Sequence, residues 1–164
     1  MKPIADIRRD YTKASLEITT VDKDPVLQFE KWFVEALQAE VIEPNAMTLS
    51  TISESGRPSG RIVLLKGIEQ SKFLFYTNYQ SRKGKELETN AACALTFFWP
   101  ELERQVRIEG VSERLAESVS KEYFQSRPRG SQIGAWASPQ SSVNFEIVRF
   151  WKIVLKRLRR DLKA

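Results

Sequence analysis

Residues 46–77 read AMTLSTIS-ESGRP-SGRIVLLK-GIEQS-KFLFYT: three apolar runs divided by two turn signals. The runs 46–53, 59–66 and 72–77 are short and rich in Thr, Ile, Val, Leu and Phe, as strands are. The divider 54–58 holds a Gly and a Pro, and 67–71 reads as a second turn. Strands joined this tightly pair antiparallel, because a parallel pair needs a crossover of a dozen or more residues.

Outward from this stretch the period changes. Upstream, Asp24-Pro25 offers a capping carboxylate and a proline at the first helical position. Val26, Phe29, Phe33, Ala36, Leu37 and Val41 follow at helical spacing, predicting a helix over 25–41 that Glu43-Pro44-Asn45 ends. Residues 1–23 are polar and read as a mobile arm or a short helix. Downstream, Ser81 caps a short helix over 81–90, and 91–99 and 104–114 read as two further strands. Residues 116–126 are helical and stop before Pro128, since a residue preceding proline is pushed out of the α region. Residues 131–137 read as another helical turn. The expectation is one α+β domain over 1–164, antiparallel strands with flanking helices in a barrel-like arrangement. There is no GxGxxG and no P-loop, so neither a Rossmann site nor a nucleoside-triphosphate cradle is indicated.

Composition narrows the chemistry. Among 164 residues there is no histidine and one cysteine, Cys93. That excludes a Ser-His-Asp triad, a Cys-His pair, a His-bound metal, an intrachain disulfide and a CxxC motif. No metal site is expected, and whatever the protein does must rest on Arg, Lys, Ser, Thr, Tyr, Gln, backbone amides or a borrowed cofactor. The net charge of +5 is concentrated at the end of the chain: 152–164 carry six basic residues and one acid, leaving 20 of each sign before them. No aromatic-rich RNA motif accompanies this tail, which reads as a solvated terminus or edge strand. Neither nucleic acid nor membrane is an expected partner. No stretch approaches the roughly 20 apolar residues of a membrane span, and the N-terminus lacks the apolar core of a signal peptide, so the expected location is cytoplasmic.

Three polar clusters interrupt the apolar pattern. In Arg61-Ile62-Val63-Leu64-Leu65-Lys66, charges bracket a strand, and on a regular strand Arg61 and Lys66 would face opposite sides. They can serve one ligand only through a twist, a bulge or a second subunit. Tyr76-Thr77-Asn78 leads to Ser81-Arg82-Lys83, where free helix amides and two cations suit an anion. Tyr123, Arg127 and Ser131 bring a phenol, a guanidinium and a hydroxyl together if a helix reaches Arg127. Taken singly, each cluster also fits a strand with charged ends, a surface helix start or a capped helix end.

Their order and wording carry more. IRRDYTKASL, DPVLQFEKW, RIVLLK, FYTNYQSRKGKELE, WPELERQVRIEG and YFQSRPRGSQIGAWASPQSS run from about residue 4 to 142, and the chain resembles the pyridoxine/pyridoxamine 5′-phosphate oxidase family. The resemblance implies an FMN-binding split β-barrel and a homodimer with FMN at the interface. It carries over Arg61, Ile62, Val63, Leu64, Lys66, Tyr76, Thr77, Arg82, Lys83, Gln105, Gln140, Ser141 and Trp151 as FMN contacts. Lys66, Tyr123, Arg127 and Ser131 correspond to substrate positions, with Arg8 and Tyr11 on an arm closing over the substrate. The implied reaction is oxidation of pyridoxine or pyridoxamine 5′-phosphate to pyridoxal 5′-phosphate, with O2 as acceptor and hydrogen peroxide released.

The wording departs from the family's after Ser142. The family's R-L-H-D-R loop, whose Arg and His lie over the reacting carbon, has no counterpart, and several dozen family residues are missing near 143/144 and 151/152. Either a deletion or a sequence joined across omitted segments would account for this, and the intact flanking wording favours the second. No catalytic residue is therefore assigned. The competing expectations are a split-barrel flavin reductase-like oxidoreductase, against which the Tyr123, Arg127 and Ser131 set argues, and a non-catalytic FMN or pyridoxal-phosphate binder.

Overall fold

The computed structural model describes residues 3–7, 10–13, 15–137 and 151–154, with side chains up to residue 135. Two compact units emerge: Met1–Pro44 with Phe98–Val106, and Asn45–Phe97 with Arg107–Ala164.

In the first unit, helix α1 spans Pro25–Gln38. The Asp24 side chain accepts from the Val26 amide at 2.8 Å, so the expected carboxylate–proline start is realised. The helix buries Val26, Phe29 and Ala36. Phe29 packs near Phe33 and Trp99 with ring centroids 5.9 and 6.0 Å away, and the Trp99 indole donates to the Pro44 carbonyl at 2.9 Å. The helix stops at Gln38, short of the expected 41, with Glu40 already at φ 52°; the buried tryptophan needs a partner for its N–H, and Pro44 beyond the helix supplies one. A short 3₁₀ turn, Ile4–Asp6, precedes the helix.

The second unit holds most of the sheet. Strands β1 (Ala46–Ile52), β2 (Pro58–Leu64), β3 (Gly67–Glu69), β4 (Lys72–Phe75), β5 (Ala92–Trp99), β6 (Arg104–Arg114) and β7 (Trp151–Val154) lie in the order β2-β1-β5-β6-β7-β4-β3. The β1–β2 hairpin pairs Ala46 with Leu64 through to Ile52 with Pro58, and β1 also pairs antiparallel with β5. β7 runs antiparallel to both β4 and β6, with Trp151 opposite Phe75 and Arg114 and Val154 opposite Lys72 and Val111. That pairing continues unbroken across 151/152, while 143/144 lies outside the described residues. Met47, Leu49, Phe73, Phe75, Leu95 and Phe97 form the buried apolar face. Among the described residues of the unit, the helices are α2 (Arg82–Thr89), α3 (Glu117–Ser126) and α4 (Arg129–Ala137).

One sequence expectation is corrected. The run 67–71, read as a turn, contains β3, which pairs with β4 through Gly67–Leu74, Ile68–Phe73 and Glu69–Lys72. The turn is only Gln70-Ser71, both at positive φ. Two residues at φ near +50 to +60° suit a tight hairpin between twisted strands, although neither is the glycine that usually signals one.

Candidate functional site

The β2–β3 connection resolves the problem of Arg61 and Lys66. β2 ends at Leu64. The Leu65 amide turns to the Asn45 carbonyl and the Lys66 amide to the Leu74 carbonyl, each at 2.8 Å. The alternation of a regular strand is thereby broken before Lys66. Both cations line one cavity of about 1020 Å³, together with Ile62, Val63 and Leu64.

A further part of the wall is built where β4 gives way to α2. Tyr76, Thr77 and Asn78 follow the strand, and Ser81 caps the helix by accepting from the Gly84 amide at 3.3 Å. Arg82 and Lys83 thus sit in the first helical turn, where uncompensated amides favour an anion. The Thr77 side chain is 5% exposed, and its hydroxyl has no hydrogen-bond partner among the described residues. Lys83 is 8% exposed and makes one long bond, to Ser81 Oγ at 3.4 Å. No carboxylate pairs with it among the described residues, and burial, with Arg61 adding to it, pushes its ammonium below the ordinary lysine value. A buried cation and a buried hydroxyl, both lacking a counterpart, form a donor set for a phosphate-sized anion.

Glu86, which the sequence reading did not single out, ties this end of the cavity together. Its carboxylate is 6% exposed. Oε2 accepts from Thr51 Oγ1 at 2.5 Å, Ser59 Oγ at 2.6 Å and Arg61 Nη2 at 3.0 Å, while Oε1 accepts from Arg82 Nε at 2.8 Å. Burial alone would raise its pKa. The bonds from Ser59, Thr51 and Arg82, with the Arg61 charge, outweigh that and hold it at about 2. Arg61 also donates to the Leu49 carbonyl at 3.1 Å, Thr51 Oγ1 at 2.5 Å and Ser59 Oγ at 2.6 Å, so both its Nη groups are committed to the protein. A carboxylate four residues after Arg82, on the same helix face, was the available clue.

The third cluster meets the same cavity by a different route from the one its spacing suggested. α3 stops at Ser126, and Arg127 is already extended at φ −71°, ψ 147°. The chain re-enters a helix at Arg129, bringing Ser131 round. Tyr123, Arg127 and Ser131 all line the cavity, with Pro128, Gly134 and Ala135 beside them. The Tyr123 ring stacks on Tyr76 with centroids 3.6 Å apart and planes 15° from parallel. Burial raises both phenol pKa values above the ordinary tyrosine value, so both hydroxyls stay protonated at neutral pH.

Tyr11 and Gln105 line a different cavity, of about 370 Å³, within the first unit. There Arg104 bonds to Glu35 at 2.9 Å and lies over the Trp32 ring at 4.7 Å. The Glu103 carboxylate accepts from the Thr12 and Lys13 amides at 2.8 and 3.0 Å. Arg8, Gln140, Ser141 and the Trp151 side chain lie outside the described residues. Ser59, Gly60 and Asn78 join the main cavity without having been singled out. Burial pushes the Cys93 thiol up to about 12, which leaves no thiolate nucleophile at neutral pH. Among the described residues no cluster of three or more His, Cys, Asp or Glu could hold a metal, and no helix is long and apolar enough to cross a membrane.

An antiparallel sheet with peripheral helices, and a large cationic cavity at its β4–α2 corner, defines the class: a mixed α/β protein of the split-barrel type. The solved structures it resembles agree. PhzG from Burkholderia lata 383, in complex with tetrahydrophenazine-1-carboxylic acid, superposes with a TM-score of 0.76 at 25% identity, covering 84% of this chain and 78% of that one. A pyridoxamine 5′-phosphate oxidase-related, FMN-binding protein from Nostoc punctiforme shares the fold at a TM-score of 0.65 and 15% identity, covering 83% and 82%. The profile of the pyridoxamine 5′-phosphate oxidase family matches residues 33–159, and the chain belongs to that family. Proteins named pyridoxine/pyridoxamine 5′-phosphate oxidase are 65% identical over 138 residues in Leptospira interrogans and 57% over 143 residues in Burkholderia thailandensis. Those alignments cover 84% and 87% of this chain, which spans 64% and 67% of the two relatives.

Proposed function

We propose that the chain carries the FMN- and substrate-gripping part of a pyridoxine/pyridoxamine 5′-phosphate oxidase. The single observation behind this is that one cavity collects Arg61, Lys66, Thr77, Arg82 and Lys83 together with Tyr123, Arg127 and Ser131. Two phosphate-competent groups around a space of about 1020 Å³ suit two phosphorylated, flat-ringed molecules held face to face.

The fit to FMN rests on the orphaned Thr77 hydroxyl and the buried, anion-less Lys83. In this reading Arg82 and Lys83 take the FMN phosphate, with the first amides of α2 and the Thr77 hydroxyl completing the cradle. Ile62, Val63 and Leu64 offer the flavin an apolar strand edge, and Tyr76 holds a hydroxyl beside it. Gln105 and Trp151 are proposed FMN contacts, Gln140 and Ser141 are proposed to reach FMN across the homodimer that the resemblance implies, and Arg8 and Tyr11 belong to the arm that covers the substrate. Lys66, Arg127 and Ser131 hold the pyridine phosphate, and Tyr123 lies against the ring. FMN, when bound, would supply the two-electron acceptor for the oxidation, with O2 as the final acceptor and hydrogen peroxide as its product. The residues of this chain bind, orient and neutralise, which is the work that a histidine-free sequence can do. A cytoplasmic setting accompanies the reading.

Reconstitution with FMN tests it. The protein should turn yellow, bleach on anaerobic addition of pyridoxine 5′-phosphate, and generate peroxide when air is admitted. Failure to retain FMN would overturn the reading. Retained FMN that pyridoxine and pyridoxamine 5′-phosphate leave oxidised would favour a binding protein, the second reading, which the missing R-L-H-D-R loop supports.

A further inference from the structure

We propose that Glu86 is a positioning residue of the anion site: it fixes the Arg82 guanidinium so that the two outer nitrogens of that side chain are presented to a phosphate. The inference rests on the phosphate reading of the α2 end of the cavity and goes beyond it, because Glu86 is not among the residues lining that cavity.

The geometry divides labour among three cations. Arg61 spends both Nη groups on Leu49, Thr51, Ser59 and Glu86, so it contributes charge and little further hydrogen bonding. Lys83 is buried and keeps donors to spare. Arg82 is 63% exposed, and an arginine so placed would ordinarily sample many rotamers. Glu86 Oε1 holds its Nε at 2.8 Å and leaves both Nη groups without partners among the described residues. A planar guanidinium anchored at Nε has its outer edge pre-oriented for two parallel bonds to phosphate oxygens. Oε2 is held in turn by Thr51, Ser59 and Arg61, so the anchor itself cannot swing. Three cations and one carboxylate leave this end at +2, the charge that a phosphate dianion cancels.

The partners of both Glu86 oxygens are all donors. An amide in its place would set an NH2 against one of them and release either Arg82 or the Thr51–Ser59–Arg61 group. The test is a set of flavin-fluorescence titrations of wild type, Glu86→Gln, Arg82→Ala and the double variant, with FMN and with riboflavin, which lacks the phosphate. The expected result is an FMN Kd raised about tenfold or more by Glu86→Gln, with riboflavin affinity within about twofold. In the Arg82→Ala background the same substitution should change FMN binding by less than about threefold. Equal losses for FMN and riboflavin would overturn the proposal in favour of a purely structural role, as would unchanged or tighter FMN binding. If Glu86→Gln does not fold, Ser59→Ala removes one anchor of Oε2 and should show the same FMN-selective loss in smaller measure; no selectivity there overturns it too. Wild type that binds riboflavin and FMN equally would instead defeat the phosphate site itself.

Discussion

Replacing Lys83 with methionine should move stability and cofactor affinity in opposite directions. The ammonium is 8% exposed, has one 3.4 Å bond to Ser81 and stands near the Arg61 charge. Without an anion its burial is uncompensated, and an unpaired buried charge costs more than an apolar isostere of similar length. Relieving it should stabilise the FMN-free protein by about 1–2 kcal/mol, raising its Tm by roughly 2–8 °C for a chain of this size. With FMN present the sign reverses, because a charge-assisted bond to phosphate worth about 1.5–3 kcal/mol is lost and the Kd rises about ten- to hundredfold. Differential scanning fluorimetry of the flavin-free and FMN-saturated proteins, with a fluorescence titration, measures both. A flavin-free Lys83→Met protein that melts below wild type would show that the ammonium is already paid for within the protein and refute the reasoning.

Three further outcomes follow from the same contacts. Glu86 titrates near 2 in the folded protein against an ordinary value of 4.5, so its stabilisation is full above about pH 4.5 and fades as pH falls toward 2. At about 1.4 kcal/mol per pH unit this amounts to at most about 3.5 kcal/mol. Urea melts from pH 6 to pH 2 should show wild type converging on Glu86→Gln at the acid end. Arg127→Ala should retain FMN while weakening pyridoxine 5′-phosphate binding by about tenfold or more, read by anaerobic flavin bleaching. Asp24→Ala removes the α1 cap bonded to the Val26 amide and should cost about 1 kcal/mol, a Tm drop of roughly 2–4 °C.

Much of the fold could be read from local signals because those signals agreed with the tertiary structure. Asp24-Pro25 and Ser81 started helices as capping chemistry requires, and Gly56 sits at φ 76° in the first hairpin turn. β3 escaped notice because a three-residue strand has no measurable period, and Gln70-Ser71 is an unusual pair for a tight turn. The site was legible as residues and not as geometry. Strand alternation set Arg61 and Lys66 on opposite faces, but the break after Leu64 brought both to one cavity. Helical spacing aligned Tyr123 with Arg127, although the helix ends one residue before that arginine. Glu86 could not be found by charge counting, since a carboxylate in KGKELE reads as a solvated helix face until the partners across the sheet are known.

The place of β7 in the sheet bears on when the protein can fold during synthesis. Residues 151–154 lie between β6 and β4, so among the described strands the latest one in the chain closes the gap between two made well before it. Until the ribosome releases that segment, the β3–β4 hairpin and the edge of β6 each expose unpaired amides and carbonyls. Those open edges are the surfaces on which a nascent chain is captured by chaperones or by its own neighbours. A shortened chain ending before Trp151 would leave them open permanently, and its yield would be limited by aggregation well before the chemistry of the cavity came into question.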